Sequence, residues 1–395
     1  MATKGYQTDA SSAVMEPAPV EQDATGLYTS GFHFRRGRIA LCAILRALEI
    51  GQGDEVIIQA FTCVALPVPV LAVGATPVFA DIQLSTLNLD PSSVEARITP
   101  RTKAIVVQHT FGIPADMDAI LRIASKRGIY VIEDCCHTMA SSYNGTLVGH
   151  MGDAAFSAYR WGKPLVLGIG GTANIRAEGP RKRLEAISRS SRIPGGFETM
   201  RTQLEYLVHH VALRPSTFWF LRDGYRSFIR MGVAIPTFPK LELRGELTDL
   251  DVAMPLFHQR WLAKRIRSAF DHVVFRKRRA SYYAAALTEM GARIPRLDAR
   301  YDPVFLRYPF LTSEKGRILD EARKHRIELG DWFVSALHPH RDSEAAELGY
   351  RQGMCPAAEI AGREILTLPI YDKVRDQDAR RAVDMLDRLH AEGMF

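Results

Sequence analysis

The sequence predicts an α/β fold, with a mostly parallel central sheet flanked by helices and a smaller α+β domain at the C-terminal end. Two observations lead to this prediction. Nearly continuous apolar segments of strand length alternate with helical segments from about residue 39 to residue 175, which is typical of a parallel sheet covered on both faces. After about residue 292, shorter strand–helix units follow, which predict a second domain. A chain of 395 residues is long enough for two domains.

The predicted elements of the large domain follow in a regular order along the chain. The first helix contains Ile39, Cys42, Leu45 and Leu48 at helical spacing, and Gly51 ends it. Strand and helix segments then alternate, in the order DEVIIQAF, PVPVLAVGATPVFADI, TKAIVVQHTFG, MDAILRIASKRG and IYVIEDCCH. The segments DAAFSAY and GGTANIRA are expected to extend the same sheet.

Composition divides the chain into three parts. Residues 1–30 are polar and contain Pro and Ser, which predicts a flexible N-terminal tail. Residues 31–250 are assigned to the large domain, with a helical insert rich in Arg and aromatic residues at about 180–245. Residues 251–395 are assigned to a long helix and to the small α+β domain. The helical pattern itself runs over residues 247–290, and Pro255 inside it is expected to kink or split the helix.

Composition and charge narrow the classes of function. The net charge of +7 suits an anionic ligand or surface, but no nucleic-acid-binding signature accompanies it, so nucleic acid is not an expected partner. The first 30 residues lack the apolar core of a secretory signal, which predicts a cytoplasmic protein. The cysteines show neither a CxxC pair nor metal-ligand spacing, so no metal is expected: Cys42, Cys63, Cys135, Cys136 and Cys355.

Three features together point to one cofactor. Asp134 ends a predicted strand, at the sheet edge where ligands bind in open α/β folds, and Lys163 follows after one more strand. Gly37 and Arg38 open the first helix, whose N-terminus favours a phosphate. These features match pyridoxal phosphate: the amine can bond its aldehyde, the carboxylate can pair with its pyridine nitrogen, and the helix N-terminus can bind its phosphate. Taken singly, the same residues also fit a solvated lysine, a capping aspartate and a turn glycine.

Longer segments extend this pattern to a family resemblance. They include GRIALCAILRALEIGQGDEVIIQAFTCVA, GIYVIEDCCHTMASSYNGTLVGHMGD, TDLDVAMPLFHQ and LTLPIYD. In these segments the sequence resembles the DegT/DnrJ/EryC1/StrS sugar aminotransferases, a branch of the fold-type I pyridoxal-phosphate enzymes. The resemblance implies a homodimer that moves an amino group from an amino acid, expected to be glutamate, to a ketone, expected to be a nucleotide-linked keto-sugar.

The resemblance also implies roles for individual residues. Lys163 matches the lysine that forms the Schiff base with the cofactor, and Asp134 matches the aspartate that pairs with the pyridine nitrogen. His137 falls where the family has Gln or His against the ring or its hydroxyl. Gly37 and Arg38 fall in the phosphate-binding segment. Lys163, Asp134 and His137 are therefore the expected catalytic residues.

Several positions depart from the family pattern. Cys63 stands where an aromatic residue usually stacks on the cofactor, so it is expected to contact the ring instead. Ala158 replaces the serine that binds the phosphate, and the adjacent Ser157 is expected to substitute for it. Ile169 replaces the glutamate of a Gly-Glu-Gly-Gly motif. In the family, the segment that corresponds to LRGE reaches the phosphate bound by the partner subunit, where Glu246 would repel the phosphate unless Arg244 compensates.

These departures leave alternative functions open. One is a catalytically silent, regulatory protein that binds the cofactor, and another is an aminotransferase for a non-sugar or lipid-linked ketone. A third is a relative that uses the cofactor for dehydration, but such relatives usually have His where Lys163 stands.

The insert has two interpretations of its own. Residues 204–232 combine many large apolar side chains with regularly placed arginines. Such a segment is typical of a helical pair packed in a dimer or over an active site. It is also typical of a surface helix that lies on a membrane. Polysaccharide or secondary-metabolite biosynthesis is the expected setting, by resemblance.

Overall fold

The computed structural model describes residues 30–212, 214–230, 240–340 and 345–393, together with Thr25 and Tyr28. The predicted N-terminal tail therefore lies almost wholly outside the described residues.

A seven-stranded sheet forms the centre of the described part of the chain. Its strands lie in the spatial order Phe32–Phe34, Gly171–Ile175, Ala154–Ala158, Tyr130–Asp134, Thr102–Gln108, Glu55–Gln59 and Thr76–Ala80. The last five of these pair in parallel, whereas Gly171–Ile175 pairs antiparallel with both of its neighbours. The predicted α/β class and mostly parallel sheet are confirmed.

Helices cover both faces of this sheet because its strands are apolar on both sides. Val56 and Val106 contribute to one core cluster, while Ile57 and Ile105, one residue along each strand, contribute to another. The helices are Gly37–Ala47, Pro67–Ala72, Pro91–Arg97, Met117–Ser125, Glu178–Ser190, Gly196–Ala212, Phe218–Arg230, Lys240–Leu243, Leu256–Asp271, Val273–Glu289, Lys315–Lys324, Pro356–Glu364 and Asp376–Ala391.

Outside the central sheet, the strands are short, apart from one pair near the C-terminal end. Arg307–Leu311 and Ile365–Pro369 pair antiparallel, and helices Lys315–Lys324 and Asp376–Ala391 pack with them around one apolar core. The two-residue strands are Thr62–Cys63, Ile82–Gln83, Asn88–Leu89, Ser142–Tyr143, Thr146–Leu147, Tyr301–Asp302 and Leu337–His338.

The first long helix packs with its N-terminus tightly against the sheet. All residues of Gly37–Ala47 are buried except Arg46. A Cβ atom on Gly171 would lie 2.5 Å from the backbone nitrogen of Gly37, and one on Gly37 would lie 2.8 Å from the Cβ of Ala158. Glycine at both positions lets the helix begin directly beside the strand ends.

The predicted long helix over 247–290 is wrong in its bounds and continuity. The structure has two helices, Leu256–Asp271 and Val273–Glu289, and the chain breaks at His272 between them. Pro255 lies just before the first helix instead of within it. This placement follows from the missing N–H of proline, which is tolerated only where a helix begins.

Two further observations concern the described residues as a whole. None of the helices in this part of the chain combines the length and the apolar character that crossing a bilayer requires. The described residues also hold no cluster of three or more His, Cys, Asp or Glu side chains arranged for a metal ion.

His258 lies fully buried in Leu256–Asp271, and neither ring nitrogen has a hydrogen-bond partner among the described residues. Burial lowers the pKa of His258 to about 4. In the unfolded chain a histidine titrates near ~6.5, so the unfolded state takes up a proton that the folded state does not. The free energy of unfolding therefore falls as the pH drops below that value, and the loss continues down to the folded pKa.

We expect His258→Leu to remove this acid sensitivity. Relative to the wild type, the variant should gain about 2 kcal/mol in the free energy of unfolding between about pH 7.5 and about pH 5. Urea unfolding at the two pH values measures the change. An equal difference between the two proteins at both pH values would contradict the burial of a neutral His258.

Candidate active site

One cavity of about 240 Å³ lies beyond the C-terminal ends of the central parallel strands. Gln108, Asp134 and Ala158, each the last residue of its strand, contribute to its lining. The cavity brings together six residues that the sequence singled out: Gly37, Arg38, Cys63, Asp134, His137 and Lys163.

Asp134 is held in place by its own turn. The residue is almost fully buried, and its Oδ1 accepts a hydrogen bond from the backbone N–H of Cys136 at 2.9 Å. The parallel pairing of its strand with Thr102–Gln108 and Ala154–Ala158 fixes the backbone on both sides. The carboxylate is thus a fixed negative charge in the cavity wall.

His137 is neutral in this site, and its hydrogen bond defines the tautomer. Its Nδ1 accepts the backbone N–H of Phe111 at 3.3 Å, so the ring proton is on Nε2. Burial, together with the positive charge of Lys163, lowers the pKa of His137 well below its usual value. The ring stacks on Phe111 with centroids 6.1 Å apart and planes at 11°. His137 is therefore a rigid hydrogen-bond donor through Nε2.

Lys163 lies between the strand Ala154–Ala158 and the glycines that precede Gly171. Its Nζ is 5.3 Å from the centroid of the Trp332 ring, which brings the ammonium within cation–π range. The Lys163 amine also acts on Cys63: burial raises the pKa of the Cys63 thiol, and the Lys163 charge partly opposes this rise. The amine and the thiol therefore share the same part of the cavity.

Trp332 is a site residue that the sequence did not reveal. Its ring also lies 5.1 Å from that of His137, so it contacts both sides of the cavity. The same segment contains His338, which is not among the cavity-lining residues and pairs through its strand with Cys63. The aromatic-rich stretch DWFVSALHPH is the signal that could have indicated this segment.

A cluster of charges surrounds the start of the helix Gly37–Ala47. No side chain caps this helix, and its first turn has no acidic residue. Glu242, fully buried, pairs with Arg36 at 3.0 Å and also with Arg38. Burial and the charge of Arg36 lower the pKa of Arg38. Two guanidinium groups against one carboxylate leave a net positive charge beside the helix N-terminus.

Glu242 is a site residue that the sequence did not single out. It reaches Arg36 and Arg38 from the short helix Lys240–Leu243. Glu246 is not in the cavity lining of its own chain, and its backbone N–H bonds the carbonyl of Leu241. The expectation that Glu246 faces the phosphate bound by the partner subunit stays a prediction.

Ser157 is the predicted site residue that does not line the cavity. Its strand neighbours Phe156 and Ala158 do so. Because side chains alternate between the two faces of a strand, a serine one position away cannot take the place of a serine at Ala158. Ile169 does line the cavity, between Gly168 and Gly170.

The helical insert supplies one wall of the cavity. Glu198, Arg201, Thr202 and Glu205 of the helix Gly196–Ala212 all line it. Glu198 forms an ion pair with Arg35 at 3.5 Å. Packing over an active site was one interpretation of residues 204–232 in the sequence, and Glu205 of that segment lines the cavity. Part of the predicted segment 204–232 lies outside the described residues.

The lining fits pyridoxal phosphate on two observations. The helix Gly37–Ala47 starts in the cavity lining without a side-chain cap, and its dipole and arginines favour negative charge there. The other groups in the lining suit the rest of the cofactor: an amine for the aldehyde, a buried carboxylate for the ring nitrogen, and the Nε2–H of His137 as a neutral hydrogen-bond donor. Lys163 and Asp134 are the two residues that the chemistry needs most.

Comparison with known proteins matches this chain to one family. The sequence matches the family described as DegT/DnrJ/EryC1/StrS aminotransferases over residues 34–203 and 262–387. The stretch between these ranges contains the helix Phe218–Arg230 and the second half of Gly196–Ala212. The match therefore covers the lysine, the aspartate and the small domain, and omits much of the insert.

Two curated relatives match most of the chain. A UDP-N-acetyl-3-dehydro-alpha-D-glucosamine 3-aminotransferase of Acidithiobacillus ferrooxidans is 29% identical over 375 residues, covering 93% of this chain and 87% of the relative. A "pleiotropic regulatory protein" of Geobacillus stearothermophilus is 30% identical over 357 residues, covering 89% of this chain and 82% of the relative.

The fold is also similar to solved structures. A putative sugar aminotransferase of Streptococcus pneumoniae, in its PMP form, has a TM-score of 0.69 at 20% identity and covers 94% of this chain and 90% of its own. At this identity the likeness shows the fold.

Proposed function

The chain belongs to the DegT/DnrJ/EryC1/StrS aminotransferase family, whose members use pyridoxal phosphate, and on that premise we propose that it moves an amino group from glutamate to a nucleotide-linked keto-sugar. The observation that carries the proposal is one cavity lined by Lys163, Asp134 and the start of the helix Gly37–Ala47. The relative from Acidithiobacillus ferrooxidans, an aminotransferase for a UDP-linked keto-sugar, supports the acceptor class.

The roles of the catalytic pair follow from their chemistry. When bound, pyridoxal phosphate supplies an electron sink for the carbanion left by the donor's α-proton. Lys163 would hold the cofactor through its Nζ amine, and the same Nζ would take up and return the donor's α-proton. Asp134, fixed by the N–H of Cys136, would keep a proton on the ring nitrogen through its negative charge.

His137 positions the cofactor through its neutral ring. The Phe111 N–H donates to Nδ1, so the imidazole can donate a hydrogen bond only through its Nε2–H. Because burial keeps the pKa of His137 far below neutrality, this donor does not change charge in the physiological range. Cys63, whose thiol is kept protonated by its raised pKa, borders the same space without adding charge.

Glu242 is expected to weaken cofactor binding, because its carboxylate competes with the phosphate for Arg36 and Arg38. We expect Glu242→Gln to tighten the binding of pyridoxal phosphate by on the order of tenfold, since a hydrogen bond to a charged group is worth about 1.5–3 kcal/mol. Fluorescence titration of the cofactor-free protein measures the affinity. Glu95→Gln, at an exposed glutamate of the helix Pro91–Arg97, is the matched control, and an equal gain in both variants would contradict the assignment.

The proposal includes a homodimer, as the family resemblance implies, and a location in the cytoplasm. It also keeps the division into a large domain over 31–250 and a second part over 251–395. Light scattering of the purified protein measures the oligomeric state. A monomer at working concentration would remove the homodimer from the proposal.

The deciding experiment is a two-stage transfer assay. Protein purified with pyridoxal phosphate is mixed with glutamate, and the expected result is the formation of 2-oxoglutarate with loss of the aldehyde-form absorbance. UDP- and dTDP-linked keto-sugars are then offered, together with non-sugar and lipid-linked ketones, and consumption of the aminated cofactor is followed. Turnover only with non-sugar or lipid-linked ketones would show that the acceptor is not a nucleotide-linked keto-sugar.

A cofactor-binding regulatory protein is the second candidate, and one relative supports it by its name. The replacements at Cys63 and Ala158 favour it, because both lie in the cavity lining where the family usually has cofactor contacts. The first stage of the same assay separates the two. Bound cofactor that never responds to an amino donor would favour the regulatory protein.

A further inference from the structure

One helix of the insert has two faces with different surroundings. The first face of Gly196–Ala212, described above, lines the reaction cavity. A second face carries five large apolar side chains at helical spacing, each between 56% and 75% exposed: Phe197, Met200, Leu204, Leu207 and Val211. We name these five residues the apolar stripe. No other described residue packs closely enough on the apolar stripe to bury any of its five side chains.

Such a stripe is unusual on a soluble surface. Single exposed apolar side chains are normal, but a contiguous row marks an interaction site. Phe220, on the next helix, is 79% exposed and adds a further large apolar side chain nearby in the sequence. This region also lies largely outside the family match, which ends at residue 203 and resumes at residue 262.

The charge around the stripe selects the kind of partner. Residues 181–230 contain ten Lys and Arg against four Asp and Glu, a net charge of +6, while the whole chain carries +7. The segment that contains the stripe is thus cationic. An apolar row on a helix within a cationic segment is complementary to anionic lipid headgroups above an acyl layer.

We propose that the apolar stripe docks this protein on an anionic membrane surface. The helix lies in the plane of the interface, with the stripe in the headgroup–acyl boundary and positive side chains of the same segment on the phosphates. A second copy of the chain fits the surface less well, because a symmetric contact between two stripes would bring one +6 segment against another. Docking would place the cavity, walled by the opposite face of the same helix, close to the membrane.

The test is co-sedimentation of the full-length protein with vesicles. Vesicles of phosphatidylcholine alone are compared with vesicles of phosphatidylcholine and phosphatidylglycerol. The expected result is at least about tenfold tighter binding to the anionic vesicles, weakened by added salt. No more protein on anionic than on neutral vesicles would overturn the proposal.

A matched pair of variants separates the stripe from charge in general. Leu207→Glu places a charge in the stripe, and Val274→Glu places the same charge on the exposed side of the helix Val273–Glu289. We expect Leu207→Glu to abolish vesicle binding and Val274→Glu to reduce it only slightly. Equal losses would overturn the proposal, as binding would then depend on charge alone.

Oligomeric state and folding are measured on the same samples. Circular dichroism checks that both variants keep the wild-type helical content. Light scattering without lipid tests the other occupant of the stripe: a change of oligomeric state in Leu207→Glu alone would assign the stripe to a contact between copies, and would overturn membrane docking. Arg214→Gln, at an exposed position after the helix, should weaken binding to anionic vesicles while leaving the oligomeric state unchanged.

Discussion

Lys163→Ala is expected to remove the covalent attachment of pyridoxal phosphate and to lower turnover by on the order of 10⁴-fold, the upper end of what a positioned proton-transfer group supplies. Lys163 is the lysine in the cavity lining, with Nζ over the Trp332 ring and its charge acting on His137 and Cys63. Without it, the protein loses both the amine that bonds the aldehyde and the group that carries the proton.

Borohydride reduction followed by peptide mapping measures the first effect. Wild-type protein should carry the reduced pyridoxyl group on the peptide that contains Lys163, and the variant should carry none. Lys103→Ala, at an exposed lysine of the strand Thr102–Gln108, is the control and should keep the adduct. An adduct on a different lysine in the wild type, or none in protein prepared with excess cofactor, would overturn the assignment of Lys163.

Asp134→Asn is expected to keep that adduct and still lose about 10²–10³-fold in turnover, the range for one electrostatic contact to the transition state. The asparagine oxygen can still accept the N–H of Cys136, so the turn and the end of the strand should be preserved. Only the negative charge disappears. A neutral side chain cannot hold the proton on the ring nitrogen, so the electron sink is weaker while attachment through Lys163 is untouched.

The two variants therefore differ in one measurable way. Lys163→Ala loses adduct and turnover together, whereas Asp134→Asn loses turnover alone. Circular dichroism and the temperature midpoint of unfolding show whether each variant is folded. Loss of the adduct in folded Asp134→Asn, or unchanged turnover, would contradict the role of the carboxylate. Lys163 could then still be the attachment site, but Asp134 would not be the residue that keeps the ring nitrogen protonated.

The arrangement of sheet and helices was largely predictable from local patterns. Apolar strands such as Glu55–Gln59 and Thr102–Gln108 are short runs of buried residues between helices, and that pattern requires a covered parallel sheet. Once the sheet is parallel, its strand ends meet at one edge. Asp134 and Lys163 follow such ends, so their convergence on one cavity could be predicted from their positions alone.

Other site features depended on contacts between distant segments. Trp332 and Glu242 reach the cavity and its phosphate-binding end from parts of the chain with no pattern that refers to them. Even neighbouring residues were separated by tertiary structure, since Ala158 lines the cavity and Ser157 does not.

The sequence by itself therefore determined the α/β class, the parallel sheet and the placement of Lys163, Asp134 and the Gly37 helix start, because each depends on a residue and its neighbours along the chain. Tertiary structure alone decided that Glu242 sits on Arg36 and Arg38, and that one helix walls the cavity while exposing the apolar stripe. Such contacts arise from packing between segments that are distant in the sequence. The periodicity of a helix shows which of its faces is apolar, but it does not show which part of the chain that face will contact.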